Sequence, residues 1–403
     1  MSYFSPGVYV QEMPATMHPI AGVSTSTAAF VSVIPDVVQL VAGATPGPTK
    51  LVDFRPAAAK VPLLVTGWSA FTAAFGDLIG DPGAAASTAT GAALNANQHM
   101  LAMAVYGFFN NGGSRAYIVR AATPADLPAA LAALEPIDDI ALVLAPGFVD
   151  GPTHTALVTH CQKVGDRFAI LDGPDATKDP TVLSLPSNST MAAVYMPWIR
   201  VFDPAVSLAT PATPTAAMPP SGHIAGIYAR VDNARGVFKA PANEVIQGAL
   251  DVTTPVSTAD QAGLNPLGIN CIRKLNGSIL VWGARTAGGD ANGNLKYVPV
   301  RRMLLFLEKS ILRGTQWVVF EPNTPALWQQ INRNVGAFLT DVWRSGGLFG
   351  STAQQAFFVK CDADNNPQSQ RDLGQVVIDV GVAIARPAEF VVFRISQWTS
   401  TGS

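Results

Sequence analysis

From residue 376 to 385 the bulky side chains Val376, Ile378, Val380, Val382 and Ile384 alternate with Val377, Asp379, Gly381, Ala383 and Ala385. A period of two with one bulky and one thin face predicts a β-strand. A short apolar run, Phe357-Phe358-Val359-Lys360-Cys361, precedes it, closed by an Asp-, Asn- and Pro-rich turn over residues 362–367. After Arg386-Pro387 comes Phe390-Val391-Val392-Phe393-Arg394-Ile395-Ser396-Gln397-Trp398, apolar on both faces and predicted as a third strand. The start of the chain has the same character: Val8-Tyr9-Val10-Gln11 follows a Ser5-Pro6-Gly7 turn and is closed by Pro14, and residues 22–31 predict another strand. An apolar strand with an open edge is an aggregation hazard unless something pairs with it. Two such ends either complete the subunit's own sheet or join a neighbouring subunit by strand addition.

Between these ends the period changes. Residues 95–109 place Met100, Leu101, Ala104, Val105 and Phe108 on one helical face, and Asn110-Asn111-Gly112-Gly113 is a stop signal. Strands predicted at 115–120, 140–147 and 168–172 alternate with helices at 125–134 and 153–164, the pattern of a parallel α/β sheet. A further strand is expected over 192–202, and a helix capped by Ser221 to about residue 231. Helices follow at 300–313 and 326–343. The second carries an apolar stripe of Leu327, Ile331, Val335, Phe338 and Val342 behind Thr324 as N-cap and Pro325 at the first helical position. Residues 316–320 read as a buried strand between them, and 35–62, 80–91 and 203–220 as loops. No internal repeat is found.

Composition sharpens the reading. Charged residues make up 13% of the 403, with 48% apolar and a mean hydropathy of +0.25. Soluble domains typically carry about 25% charge. No window resembles a membrane span of about 20 residues. A chain this poor in charge is expected to cover much of its surface with other chains, although the abundance of Ala, Thr and Pro also fits a GC-rich genome. A net charge of −2 gives no sign of nucleic-acid binding. The first residues lack a secretory pattern, and Cys161, Cys271 and Cys361, odd in number and far apart, fit a reducing cytoplasm.

Candidate chemistry is sparse. There is no phosphate loop, no Gly-x-Ser-x-Gly elbow and no His-Glu-x-x-His. His154, His160 and Cys161 lie near Asp150 and Asp166, but the histidines are six apart and face different sides of a helix, so they read as ordinary helix residues. Asp138, Asp139 and Asp172 fall at strand ends, where α/β active sites lie. Asp172-Gly173-Pro174-Asp175 could form an acidic site, but it reads rather as a turn, the usual role of Asp, Gly and Pro. No catalytic residue, metal or cofactor is expected. The run Arg301, Arg302, Lys309 and Arg313 reads as either a partner surface or a solvated face.

Several segments, in one order, carry a resemblance. They are Pro6-Gly7-Val8-Tyr9-Val10-Gln11-Glu12 with residues 22–30, Phe238-Lys239-Ala240-Pro241-Ala242-Asn243, and Leu264-Asn265-Pro266-Leu267-Gly268-Ile269-Asn270. They continue with Val281-Trp282-Gly283-Ala284-Arg285-Thr286, Cys361-Asp362, Asn366-Pro367-Gln368 and Pro387-Ala388-Glu389-Phe390-Val391-Val392-Phe393-Arg394-Ile395. Together these resemble contractile tail sheath proteins of phage tails, R-type pyocins and phage-tail-like extracellular injection particles. The likeness covers the N-terminal arm and residues 237–398.

The resemblance implies an α/β (α+β) fold: an N-terminal parallel α/β layer and a C-terminal α+β sheath domain with exchanged terminal strand arms. The expected divisions are 1–21 for the N-terminal arm, 22–236 for the outer domain, 237–385 for the sheath domain and 386–403 for the C-terminal arm. It implies a structural subunit, not an enzyme, that stacks as hexameric rings around an inner tube and contracts to drive the tube through a target envelope. The implied partners are other copies, the inner tube, and baseplate and terminal cap proteins, with no nucleic acid and no membrane insertion. Assembly is expected in the bacterial cytoplasm, within a phage tail or a released tail-like particle. The donated strands would be Val8, Tyr9, Val10 and Gln11 at one end and Phe390, Val391, Val392, Phe393 and Ile395 at the other. Val376, Ile378, Val380, Val382 and Ile384 would receive them. Residues 15–21 and 386–388 would serve as hinges. Tube-contact candidates are Arg333 and Arg344, ahead of Arg301 and Arg302. The alternatives are a coat or baseplate protein of the same particle, or an oligomeric α/β enzyme.

Overall fold

The computed structural model describes residues 18–41, 51–77, 89–175, 188–204, 214–390 and 392. The expected strand at Val8, Tyr9, Val10 and Gln11 lies outside them, as do Val391, Phe393 and Ile395 and most of the expected loop at 80–91.

The chain opens with β1 (Ala28–Val33), a hairpin of β2 (Val38–Val41) and β3 (Leu51–Phe54), β4 (Leu63–Val65), α1 (Trp68–Phe75) and α2 (Ala89–Asn110). Then come β5 (Ala116–Ala121), α3 (Leu127–Ala132), β6 (Leu142–Leu144), α4 (Gly151–Val164), β7 (Phe168–Asp172) and β8 (Ala192–Met196). These are followed by β9 (Ile199–Phe202), β10 (Thr215–Met218), α5 (Ser221–Arg235), β11 (Glu244–Val245), β12 (Ala249–Val252), α6 (Thr258–Leu264), β13 (Ile269–Leu275) and β14 (Ser278–Val281). The last elements are α7 (Val298–Gly314), α8 (Pro325–Arg344), α9 (Ala353–Ala356), β15 (Phe357–Lys360), α10 (Gln368–Asp372) and β16 (Asp379–Val382).

A nine-stranded sheet, in the order β11-β14-β13-β8-β7-β6-β1-β5-β4, is the frame. Its centre is parallel from β13 through β8, β7, β6 and β1 to β5. Antiparallel β14 and β11 extend one side and β4 the other. Strands β1, β7 and β8 are buried along their whole length. A parallel sheet covered on both faces demands that, which is why they read as continuous apolar runs and do not alternate. On one face α2 and α5 approach through glycine. A Cβ on Gly222 would strike the Ala104 backbone, one on Gly226 the Phe108 carbonyl, and one on Gly107 the His223 ring.

The chain forms two compact units: residues 1–22 with 310–383, and residues 23–309 with 384–403. This differs from a division at residue 236. The sheet runs across that point, because β13 pairs with β8 through Ile269 opposite Val194. In the smaller unit the stripe on α8 is buried as expected, with Leu327, Ile331, Val335, Phe338 and Val342 joined by Leu339 and Trp328. Thr324 precedes the helix and Pro325 opens it, though Thr324 makes no side-chain cap bond.

Several expectations are corrected. Residues 316–320 are not a buried strand. Val318, Val319 and Glu321 donate their N–H groups to the carbonyls of Thr315, Gln316 and Val318. With its donors used locally the segment forms a tight turn, and it leaves Val319 and Phe320 exposed. The stretch 35–62 contains the β2–β3 hairpin, with Val38 opposite Phe54. The strand expected over 192–202 breaks at Pro197, which has no N–H to offer a ladder, and β9 joins a separate three-stranded sheet with β10 and β12. Thr215–Met218 is thus a strand inside an expected loop. Ser221 is the first residue of α5 and not its cap. The long strand expected over 376–385 is short, Asp379–Val382.

Candidate inter-subunit site

Strand β16 pairs with β15 alone, Phe357 opposite Val382 and Val359 opposite Val380, and among the described residues no third strand joins them. A two-stranded ladder is marginal by itself in water. Of the receiving positions, Val380 and Val382 lie in β16, whereas Val376, Ile378 and Ile384 lie outside it, and all five are half-buried. The Asn366 side chain holds the start of this segment: Val377 N–H donates to its Oδ1 at 2.7 Å, and its Nδ2 donates to the Val377 carbonyl at 3.0 Å. Phe358 covers Gly381 across the ladder yet remains exposed.

The C-terminal segment returns to the larger unit and ends in two outward apolar side chains, Phe390 at 71% and Val392 at 78% exposure. Immediately before them Glu389 is gripped. Arg285 donates Nε to Oε1 and Nη2 to Oε2, each at 2.8 Å. Asn265 Nδ2 donates to Oε1 at 2.7 Å and the Tyr297 hydroxyl to Oε2 at 2.9 Å. Burial alone would raise the Glu389 carboxyl, but the bonds from Arg285, Asn265 and Tyr297 outweigh it and hold it below the usual carboxylate range. Burial works against the Arg285 charge in the same way, and Glu389 and Asp290 outweigh it, so its guanidinium is held above its ordinary value. The Arg285 backbone is itself clasped by Asn270 of β13, which accepts its N–H at 2.7 Å and donates to its carbonyl at 2.8 Å. Arg386 Nη2 donates to Asn294 Oδ1 at 3.0 Å. The expected hinge at 386–388 is therefore tied at Arg386 and again just beyond it, at Glu389.

The other arm is tied as well. His18 stacks on Trp317 at 4.4 Å in the smaller unit, within the part of the expected hinge 15–21 that is described. In the larger unit Thr25 Oγ1 donates to Asp232 Oδ2 at 2.6 Å. Arg302 reaches both oxygens of Asp232, at 2.9 and 2.6 Å, and the Thr25 carbonyl at 2.8 Å. Its guanidinium lies 4.6 Å from the Tyr228 ring centre, and the Tyr228 hydroxyl meets that of Tyr195 at 2.6 Å.

This corrects the reading of 300–313 as a basic surface. Arg302 is buried against Asp232, Lys309 is buried against Asp166, and Arg301 rests on the Met191 sulfur at 3.0 Å. A buried cation needs a paired anion, and both anions come from distant parts of the chain. Arg333 and Arg344 are exposed on α8, the latter 4.0 Å from Asp341.

The residues weighed for chemistry are packed inside or sit in turns. His154, His160 and Cys161 are buried on α4. Burial, then the Arg167 charge, lowers His160 to about 4, and burial pushes the Cys161 thiol up to about 12. Asp138 and Asp139 lie between α3 and β6, with Arg115 3.3 Å from Asp139. Asp172 is buried and pushed up to about 6 by that burial. It accepts the N–H groups of Gly147 at 3.0 Å and Ser221 at 2.8 Å, and the Ser221 hydroxyl at 2.7 Å. Asp172 thus stitches the loop after β6 to the start of α5. Among the described residues no group of three His, Cys, Asp or Glu side chains is placed to hold a metal, and no helix is long and apolar enough to cross a membrane. The pairings Arg285–Glu389 and Arg302–Asp232 were missed. Opposite charges inside otherwise apolar segments of a charge-poor chain were the only available signal.

Comparison with known proteins gives a consistent picture. The phage tail sheath protein central domain matches residues 120–287, and the phage tail sheath C-terminal domain matches residues 290–397. A tail sheath protein of Vibrio phage KVP40 is 27% identical over 181 residues, 44% of this chain and 26% of that protein, so the likeness spans about a quarter of that relative's length. The sheath complex of an extracellular contractile injection system, PVC, in its contracted state aligns with a TM-score of 0.74 and 27% identity, covering 98% of each chain. The helical sheath of the anti-feeding prophage, also contracted, aligns with a TM-score of 0.71 and 29% identity over 98% of this chain and 100% of that one.

Proposed function

We propose, from the premise that this chain belongs to the family of contractile tail sheath proteins, that it polymerises as stacked hexameric rings around an inner tube. In this reading the stack contracts to drive the tube through a target envelope. The observation that carries the reading is the unfinished β15–β16 ladder on a chain whose last described residues, Phe390 and Val392, point apolar side chains into solvent. A two-stranded ladder and an apolar terminal segment can complement each other between copies. Each backbone hydrogen bond so formed contributes about 1 kcal/mol net, and several in a row make a durable link. Work on contraction comes from reburying surface between subunits, at about 25 cal/mol per Å² of apolar area, multiplied along the stack.

In this reading the donated strands are Val8 to Gln11 and Phe390 to Ile395, and the acceptor is the segment with Val376, Ile378, Val380, Val382 and Ile384. The exposed Arg333 and Arg344 on α8 meet the inner tube. The role is structural, with other copies, the tube, the baseplate and a terminal cap as partners, in a phage tail or tail-like particle assembled in bacterial cytoplasm.

The test is a truncation. Because Glu389 is bound to the body, the cut belongs after Phe390. Deleting residues 391–403 is expected to leave a folded subunit, by circular dichroism, that forms no sheaths under the electron microscope. Long sheaths from that truncated chain would defeat the arm reading.

A further inference from the structure

Two of the segments that carried the family resemblance, 281–286 and 387–390, meet in space although Arg285 and Glu389 stand 104 residues apart. We propose that this pairing is an anchor fixing the point at which the C-terminal arm leaves the body, with Arg285 and Glu389 as positioning residues for strand donation. The proposal rests on the arm reading above and adds where the donated part of the arm begins.

Both carboxylate oxygens of Glu389 are saturated by four donors from three places. Asn265 follows α6, Arg285 follows β14, and Tyr297 precedes α7. A bidentate Arg–carboxylate pair fixes direction as well as distance. The anchor is continuous with the frame, since Asn270 holds the Arg285 backbone and donates to the Val194 carbonyl of β8 at 3.1 Å. The guanidinium is also braced, with Nη1 on the Asn265 carbonyl and on Asp290 Oδ1, each at 3.1 Å. Pro387 and Ala388 lie between Arg386, bound to Asn294, and this grip. The held stretch therefore runs from Arg386 to Glu389.

The physical benefit is twofold. An arm with a fixed root has less freedom to lose when it docks on a neighbour. A fixed root also sets the tether length, and so the effective concentration of the arm at its acceptor. If the grip let go, residues 384–389 would join the tether and lengthen its reach by about 20 Å, at about 3.4 Å per extended residue. That exceeds the spacing of neighbouring strands, about 4.8 Å, several times over.

The experiment uses the full chain with nitroxide labels at Ala388→Cys, inside the gripped stretch, and Lys274→Cys, both exposed, read by pulsed electron paramagnetic resonance on unpolymerised subunit. The native thiols are buried, which disfavours their labelling. Wild-type background is expected to give one narrow distance population. Glu389→Gln removes the charge, and Asn265→Asp sets a like charge beside Oε1. Each is expected to broaden the population about twofold and to lower sheath yield about tenfold while circular dichroism shows a folded subunit. If either variant fails to fold, the other decides. A purely structural role would lower the melting temperature and leave the population narrow. A narrow population in every folded variant overturns the anchor, whether or not the 391–403 truncation assembles. Sheaths from that truncation defeat the arm reading, and the distances still report on the anchor.

Discussion

In the larger unit three buried or half-buried ion pairs join distant parts of the chain, and in the smaller unit large apolar side chains look outward. Arg302 meets Asp232, Lys309 meets Asp166 and Arg285 meets Glu389, all inside residues 23–309 and 384–403. Among the described residues, the most exposed large apolar side chain of that unit outside its arm is Leu250, at 56%. In the smaller unit Leu312, Val319, Phe320, Phe349, Phe358 and Leu373 all exceed this, and Phe320 is fully exposed. A finished fold hides its apolar groups and satisfies its polar ones. By the first of these standards the larger unit is close to finished, and the smaller one leaves more apolar surface open.

Overpacking the finished unit is the hardest blow. Gly226→Leu drives a side chain into the Phe108 carbonyl between α2 and α5 and is expected to cost more than about 3 kcal/mol. Urea unfolding, or loss of soluble protein, reads it. Gly336→Ala is the matching change on α8, where an added Cβ meets nothing within 4 Å. It is expected to stabilise by about 0.5–1 kcal/mol. Destabilisation at Gly336 would mean that the smaller unit is packed as tightly as the larger.

Acid provides the next test. His223 is fully buried beneath α2, and its burial lowers it from 6.5 to about 4. The folded state then binds fewer protons than the unfolded one, so stability is intact above pH 6.5 and falls as the pH drops toward 4. The loss is on the order of 3 kcal/mol from this group. His160 acts in the same direction. Asp172, raised to about 6 by burial, acts oppositely: its contribution is full below 3.8 and lost as the pH rises through 6. The urea midpoint is expected to fall from pH 6.5 to 4. His223→Asn flattens that slope, and Asp172→Asn, which removes the offset, steepens it. A flat profile in the unmodified protein would contradict the burial of His223.

An effect as small as that at Gly336 belongs to Phe320, which sits at φ +71°, a region that bulky residues avoid. With its ring in solvent, Phe320→Asn is expected to stabilise the isolated subunit by about 0.5–1 kcal/mol. If the ring serves a contact between copies, the same change reduces sheath yield. Higher stability with unchanged yield would remove Phe320 from the interface.

Much of the frame was legible because burial on both faces leaves a plain signature. Strand β7 falls at residues 168–172 as expected, an apolar run between Arg167 and the Asp172-Gly173-Pro174 turn. The helix stop at Asn110 was equally plain. Strands β11 and β12 were not legible, since two and four residues offer no period to read. Residues 316–320 were misread because an apolar run reads the same whether a sheet buries it or a turn leaves it exposed. The charges were the deepest miss. Arg302 finds Asp232 at a separation of 70 residues and Lys309 finds Asp166 at 143, distances over which a single sequence carries no pairing signal. Arg285 and Glu389 lie in two segments 104 residues apart, and only the fold joins them.

The three cysteines have a consequence for durability. Cys161 and Cys271 are pushed up to about 12 and Cys361 to about 11, each by burial, so almost no thiolate forms at neutral pH. A stacked polymer brings many copies of each surface side by side. Exposed thiols there would oxidise into covalent bonds between neighbours and weld the stack in one state. Sealed inside each copy, the three sulfurs offer no exposed thiol through which neighbouring copies could be joined covalently.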